Sequence, residues 1–420
     1  MRGKDPRAFG VLTGPVRGAI LVAMTAAVLA AHGCASFDAV ATPPDADADA
    51  DTDGGGADGP VPVEASTDGS APDAEVACIP RDVNEDAGAP DASCGGPGLA
   101  DLQSSEGNCG VCGHSCLDGG CANGQCNVQD LIPLGFVSNN PPGIGALHDG
   151  VLYLAHAGVI SRVSVDDAGA PTELLDASAL LGANLSPPFL ARGLGWTVAD
   201  QSELVSFPLD GGGPTVETGS GNVGAIATDG NAVYYADANS RVVRMVGSVT
   251  ALYTGDASIA SIDAMAVDGD GLFLMVGLAS VTARSRLLLR SPSGDISMLI
   301  SDVPQATRML LDGGYLYWAD VAGAVWRLAK GTTVPQQVMQ VPLMPFPYVK
   351  GLVVDAQNVY IVTTEDGNGG SVNALFYVGS KCGGPARLLR SGDSFWGGAL
   401  LADDHHLFWT HSDGIERMAK

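Results

Sequence analysis

Three observations predict an all-β fold: a seven-bladed β-propeller behind a small disulfide-rich module and a disordered acidic tether. From Asp130 onward short β-rich runs alternate with Gly, Asp and Pro turns, and helical periodicity never persists over a window of about 11–18 residues. One shape then recurs seven times: an apolar strand, a turn centred on Asp-Gly, and a second strand rich in Tyr, Phe or Trp. Finally, the chain before Asp130 is acidic and then cysteine-rich, unlike the rest. These changes divide it into 1–33 (signal peptide), 34–77 (Cys34 and an acidic linker), 78–128 (cysteine module) and 129–420 (propeller).

The N-terminus carries Arg2, Lys4, Arg7 and Arg17, followed by the apolar run Gly18–Ala31. That run falls short of the roughly 20 apolar residues that span a bilayer, and a basic start with a short apolar core reads as a secretory signal. The exit, Ala31–Cys34 (AHGC), resembles the lipobox of bacterial lipoproteins. The resemblance implies that Cys34 is lipidated and becomes the first residue. Ala35, where inner-membrane retention favours Asp, implies an outer-membrane lipoprotein facing the periplasm or the cell surface.

The net charge is -26, and the four basic residues and one Asp of the signal leave the mature chain near -29. Phosphate binding needs basic stripes, so nucleic acid is an unsuitable partner. Anionic lipid is likewise disfavoured, and membrane contact is expected through the anchor only. Residues 35–108 hold seventeen Asp/Glu against Arg81 alone. Such a segment buries too little apolar surface to offset chain entropy, and its like charges extend it into a tether. Asp49, Asp51, Asp53 and Gly54 match the opening of a calcium loop, but the twelfth position is Pro60 instead of Glu.

The stretch Gly107–Cys116 (GNCGVCGHSC) packs three cysteines and a histidine together. Covalent haem needs His directly after the second Cys, and here Gly113 intervenes. A redox centre needs a strand–helix context. Zinc would crowd Cys109, Cys112, His114 and Cys116 into eight residues. Disulfides fit an oxidising compartment and a small loop-rich segment. Cys78, Cys94, Cys109, Cys112, Cys116, Cys121 and Cys126 are odd in number, and Cys382 completes four bridges.

The seven repeats start at Ile144, Pro188, Val223, Ile262, Ala306, Val349 and Trp396, 35 to 47 residues apart. Two further strand-like runs follow each of the first six, and four antiparallel strands every ~40 residues are the propeller pattern. The second-strand aromatics Tyr153, Trp196, Tyr235, Tyr317, Tyr360 and Phe408 are expected in the core. The last repeat has three strands, so its outer strand is expected from Leu131–Val137, closing the ring. The second repeat is the weakest, which keeps six blades as the alternative. Cys382 falls between the third and fourth strands of repeat six. In a propeller that turn shares a face with the module's entry, so Cys382 is expected to bridge to the module.

Leu316–Asp320 (LYWAD), Val233–Asp237 (VYYAD) and Leu407–His411 (LFWTH) resemble the YWTD repeat of propellers of the low-density-lipoprotein-receptor family. That resemblance implies a rigid, non-enzymatic binding scaffold. The layout also resembles bacterial envelope lipoproteins with an acidic spacer, a Cys-rich module and a propeller.

Outside the signal and the module, all five histidines lie in repeats one and seven, neighbours in a closed ring. His148, His405 and His406 fall at first-to-second turns beside Asp149, Asp403 and Asp404. His156 and His411 end second strands, where Asp200, Asp237 and Asp320 stand in other repeats. Two or three of these His with the nearby Asp are candidate transition-metal ligands, against the plainer reading of polar turns. The strand-end aspartates are expected to cap the next blade's backbone. Gly219–Gly224 (GSGNVG) links strand to strand and lacks the helix that a dinucleotide site requires. Neither G-x-S-x-G nor H-E-x-x-H occurs. No catalytic residue and no cofactor are assigned.

The resulting expectation is a monomeric, lipid-anchored envelope scaffold that binds an envelope or extracellular protein or glycan. The alternative is an envelope-polymer hydrolase or lyase with its site at the propeller channel.

Overall fold

The structure is a computed structural model. It describes residues 104, 116–133, 143–176, 185–219, 223–342, 347–365, 373–394 and 399–420, apart from short breaks within these stretches. The expected signal peptide, Cys34, the acidic linker, Cys78, Cys94, Cys109 and Cys112 lie outside the described residues.

Every described element is a β-strand, and seven four-stranded antiparallel sheets form the blades. Blade 1 runs over Gly143–Asp176, blade 2 over Phe189–Gly219, blade 3 over Ile226–Thr254 and blade 4 over Ile259–Pro304. Blade 5 covers Ala306–Gln340 and blade 6 Pro347–Ser394. Blade 7 takes three strands from Leu401–Ala402, His406–His411 and Gly414–Ala419, and its fourth from Gln129–Pro133. The weak second repeat therefore does form a blade, and six blades are excluded. The closing strand begins two residues before the expected Leu131–Val137. Asp130 pairs with Glu416, and a bulge then brings Ile132 opposite Ile415.

The ring is held by seven apolar clusters, one between each pair of neighbouring blades, including 7 with 1. Strand periodicity makes this possible, because successive side chains point to opposite faces. In blade 5, Leu316 and Trp318 pack towards blade 4 while Tyr317 and Ala319 pack towards blade 6. Both faces are buried, so the second strand reads as continuously apolar. The six predicted aromatics are all buried. Every third-to-fourth pairing contains a register shift. Such bulges add the twist that lets a blade fan outward from the centre.

The Asp-Gly turns match their chemistry. Asp149 and Gly150 both have positive φ, as a two-residue type I′ hairpin requires. First strands of neighbouring blades pack together around the centre. First-to-second and third-to-fourth turns lie on one face, termed lower, and second-to-third turns on the upper face.

Candidate functional site

The upper face is built by the ends of the second strands. In blade 5, Asp320 Oδ1 accepts the Ala322 and Ala324 N–H groups at 2.8 and 3.0 Å, and its Oδ2 accepts Trp326 Nε1–H at 2.9 Å. In blade 3, Asp237 Oδ1 accepts the Asn239 and Arg241 N–H groups, and Oδ2 accepts Arg241 Nε–H at 2.7 Å. These aspartates cap their own blade's second-to-third turn, not the neighbouring blade. The reason is local: a carboxylate ending a strand is two to four residues from the N–H groups left unpaired by the turn.

His411 ends the same strand in blade 7 and has different company. Its Nε2 lies 3.9 Å from Asp130 Oδ1 and 3.9 Å from Glu416 Oε1. Among the described residues, this is the sole group of three or more His, Cys, Asp or Glu whose ligand atoms converge, all within 4.8 Å. The other candidate histidines do not assemble. His148 pairs with Asp149 at 3.3 Å, and His406 Nδ1 lies 3.5 Å from Asp403. His405 sits edge-on to His406, and partial burial lowers the pKa of His156.

The first strands add a polar spot that sequence reasoning missed. Asp263, bulged out of blade 4's first strand, accepts hydrogen bonds from Ser261 Oγ (2.6 Å), Ser285 Oγ (2.7 Å) and Gln305 Nε2 (3.3 Å). Burial raises its carboxyl pKa despite those three donors. Arg308 and Lys350 occupy first strands of blades 5 and 6, with Arg308 Nε donating to the Lys350 carbonyl at 3.0 Å. Nothing in the sequence marks the bulge that turns Asp263 towards Ser285.

The lower face is stitched across blades. Lys330 pairs with Asp268 and Asp270, Lys381 with Asp312, and Lys420 with Asp355. Each pair joins one blade's third strand or third-to-fourth turn to the previous blade's first-to-second turn. Burial would raise the Asp355 carboxyl, but Lys420 and the Gln357 and Asn358 N–H groups bring it below the ordinary value. Burial likewise opposes the His406 contact and the His405 and His406 N–H groups at Asp403, which nevertheless reaches about 2.

The described end of the cysteine module, from Cys116, packs against the propeller. Cys116 and Cys126 form a disulfide whose sulfurs are buried in the cluster of Tyr360, Phe376, Trp409 and Met418 between blades 6 and 7. Cys121 and Cys382 are also disulfide-bonded.

Exposed large apolar side chains occur on blades 2 to 6, among them Val216, Val334 and Leu388, with more than one each on blades 3 and 4. Val246, Val249, Ile296 and Met298 are 40–57% exposed on neighbouring third or outermost strands. Blade 4's outermost strand, Ile296–Pro304, is nine residues long and bonds on one edge to Arg284–Arg290.

No protein-family model matches the chain, and no curated protein matches it. Among solved structures, it resembles the WD40 β-propeller domain of Doa1, with 14% identity, a TM-score of 0.51, and coverage of 70% of this chain and 97% of that one. It is also similar to the computationally designed Ika8 protein, at 13% identity and TM-score 0.47, covering 70% and 100%. YCF48 from Cyanidioschyzon merolae matches at 11% identity and TM-score 0.49, covering 70% and 98%. The chain is a seven-bladed β-propeller. At these identities the likeness concerns fold alone.

Proposed function

We propose that the chain is a lipid-anchored scaffold of the cell envelope that recognises an envelope or extracellular protein or glycan without catalysis. The observation that carries this reading is the rim of blades 3 and 4. Apolar side chains clustered in water mark interaction sites more than they mark stability. They lie beside a long outermost strand that pairs, among the described residues, on one edge only, the arrangement that accepts an added strand. This favours a protein partner with an extended apolar segment over a glycan. The acidic charge of the chain favours a neutral or basic one.

The envelope part rests on the AHGC exit, the basic-apolar N-terminus and the cysteine usage. Cys34 would hold the lipid, and 34–77 would be the tether. Cys382, a half-cystine at the lower turn of blade 6, bridges in this reading to the module, whose Cys116–Cys126 end packs between blades 6 and 7. The YWTD-like second strands support the scaffold reading through the own-turn caps at Asp237 and Asp320.

The enzyme alternative draws on Asp263, whose raised carboxyl pKa is the property a channel-mouth general acid would need. Its three donors, two from blade 4 itself and one from the link to blade 5, already occupy it, which favours a structural role.

Ile296→Lys and Met298→Lys, made together, test the scaffold. The variant is expected to fold with unchanged thermal stability and to lose the larger native complex that the wild-type protein forms in detergent-solubilised envelope. An unchanged complex refutes the rim. Release of soluble fragments from purified envelope polymer, abolished by Asp263→Asn, would instead establish the enzyme.

A further inference from the structure

We infer that Asp130, His411 and Glu416 form a binding site for one divalent transition-metal ion, which clasps the closure of the ring. The three residues come from the two ends of the propeller. Asp130 lies on the N-terminal closing strand, and His411 and Glu416 on the second and third strands of blade 7.

The register puts them on one face of the sheet. Asp130 stands opposite Glu416, Glu416 opposite Trp409, and His411 two residues beyond Trp409. That face turns towards blade 6, where Trp409 packs against Phe376 with ring centroids 4.6 Å apart. His411 and Glu416 side chains are only 15% and 14% exposed, whereas Asp130 is 66% exposed. The site therefore has a closed inner wall and an open outer side.

The geometry suits an ion. At 3.9 Å, Nε2 is too far from either carboxylate oxygen for a direct hydrogen bond. With all three atoms within 4.8 Å of one another, a point at most about 2.5 Å from each exists. Zinc bonds imidazole and carboxylate at roughly 2.0–2.2 Å, so a few tenths of an ångström of side-chain movement completes the shell. One imidazole with two carboxylates suits zinc or a neighbouring first-row ion over calcium, which prefers oxygen alone. The exposed side of Asp130 leaves room for a water as fourth ligand. Two carboxylates and a neutral imidazole also give the ion a neutral complex.

The test uses the purified full chain in its oxidised form, stripped with a chelator and titrated with Zn²⁺ by calorimetry and native mass spectrometry. His405→Ala/His406→Ala serves as the control, because those residues lie outside the cluster. Binding of one ion is expected, with at least tenfold weaker affinity in both Asp130→Asn and His411→Gln. Zinc is expected to raise the thermal midpoint of the wild-type chain and of the control, not of the two variants. Asp130 is largely exposed, so Asp130→Asn folds and keeps the comparison valid. Zinc binding that is absent, or equally tight in both variants, overturns the site. Neither the anchor nor the rim partner enters this measurement.

Discussion

Asp320 offers the sharpest energetic test of the blade design. Its side chain is 1% exposed and accepts three hydrogen bonds, two from its own turn and one from Trp326. Asp320→Ala removes the two oxygens that accept all three bonds. The buried Ala324 N–H and the half-buried Trp326 indole N–H then lose their acceptor, at roughly 1–3 kcal/mol each. The total comes to about 3 kcal/mol. A propeller of this size has an unfolding entropy near 0.6 kcal/mol/K on a per-residue scale, so the midpoint falls by about 5 °C. Asp237→Ala removes the equivalent cap in blade 3, but there the third partner is an Arg241 side chain that water can solvate. Its shift is expected to be clearly smaller. Urea and thermal unfolding of Asp320→Ala, Trp326→Phe and the double variant give the coupling directly, expected at about 1–2 kcal/mol. Additive single effects, or a larger loss in Asp237→Ala than in Asp320→Ala, would refute the reasoning.

Acid should destabilise the lower face. The folded carboxyls of Asp355 and Asp403 sit below the ordinary 3.8, so their contribution is present above that value and lost as pH falls through the folded one. For Asp403 the window runs from about 3.8 to about 2, and Asp403→Asn should flatten stability against pH there. Asp263 has the opposite sign: its folded pKa is raised, so its contribution is present below 3.8 and lost as pH rises through the folded value. Asp263→Asn should remove that loss in pH-dependent melting. The Cys116–Cys126 bridge closes a short loop with a separation of 10 residues, worth roughly 2–3 kcal/mol in a chain-entropy account. Replacing both with Ser should lower stability by that order in denaturant unfolding. Cys382→Ser should expose one new alkylatable thiol within the cysteine module by peptide mapping. A new thiol outside the module would remove the bridge from blade 6.

Much of the fold is legible because a propeller repeats its physics. The Asp-Gly turns and two-faced aromatic strands recur often enough that a weak second copy, Pro188 onward, still counts as a blade. The missing fourth strand of blade 7 was legible for the same reason, as a deficit at the C-terminus matched by a spare strand before the first repeat. Its register was not, because a bulge between Asp130 and Ile132 decides it. That bulge is what sets Asp130 opposite Glu416, nearly the whole propeller away in sequence. Histidine placement pointed to blades 1 and 7, yet only His411 of the five gained two carboxylate neighbours. His148 and His406 face a local aspartate on a turn, His405 packs edge-on to His406, and His156 is partly buried at a strand end. Asp263 escaped notice because its role comes from Ser261 and Ser285 of its own blade and Gln305 of the link to blade 5, which meet it only through the bulge and the strand pairing.

The measurement closest to the central claim is site-specific photocrosslinking in living cells, with the reactive group at position 298 on the rim of blade 4. A matching probe at Glu173, on the outermost strand of blade 1, serves as the reference. The account predicts one discrete protein adduct from position 298, abolished by Ile296→Lys, and none of that mass from position 173. Equal adducts from both positions, or none from 298 in a membrane-anchored protein, would contradict it.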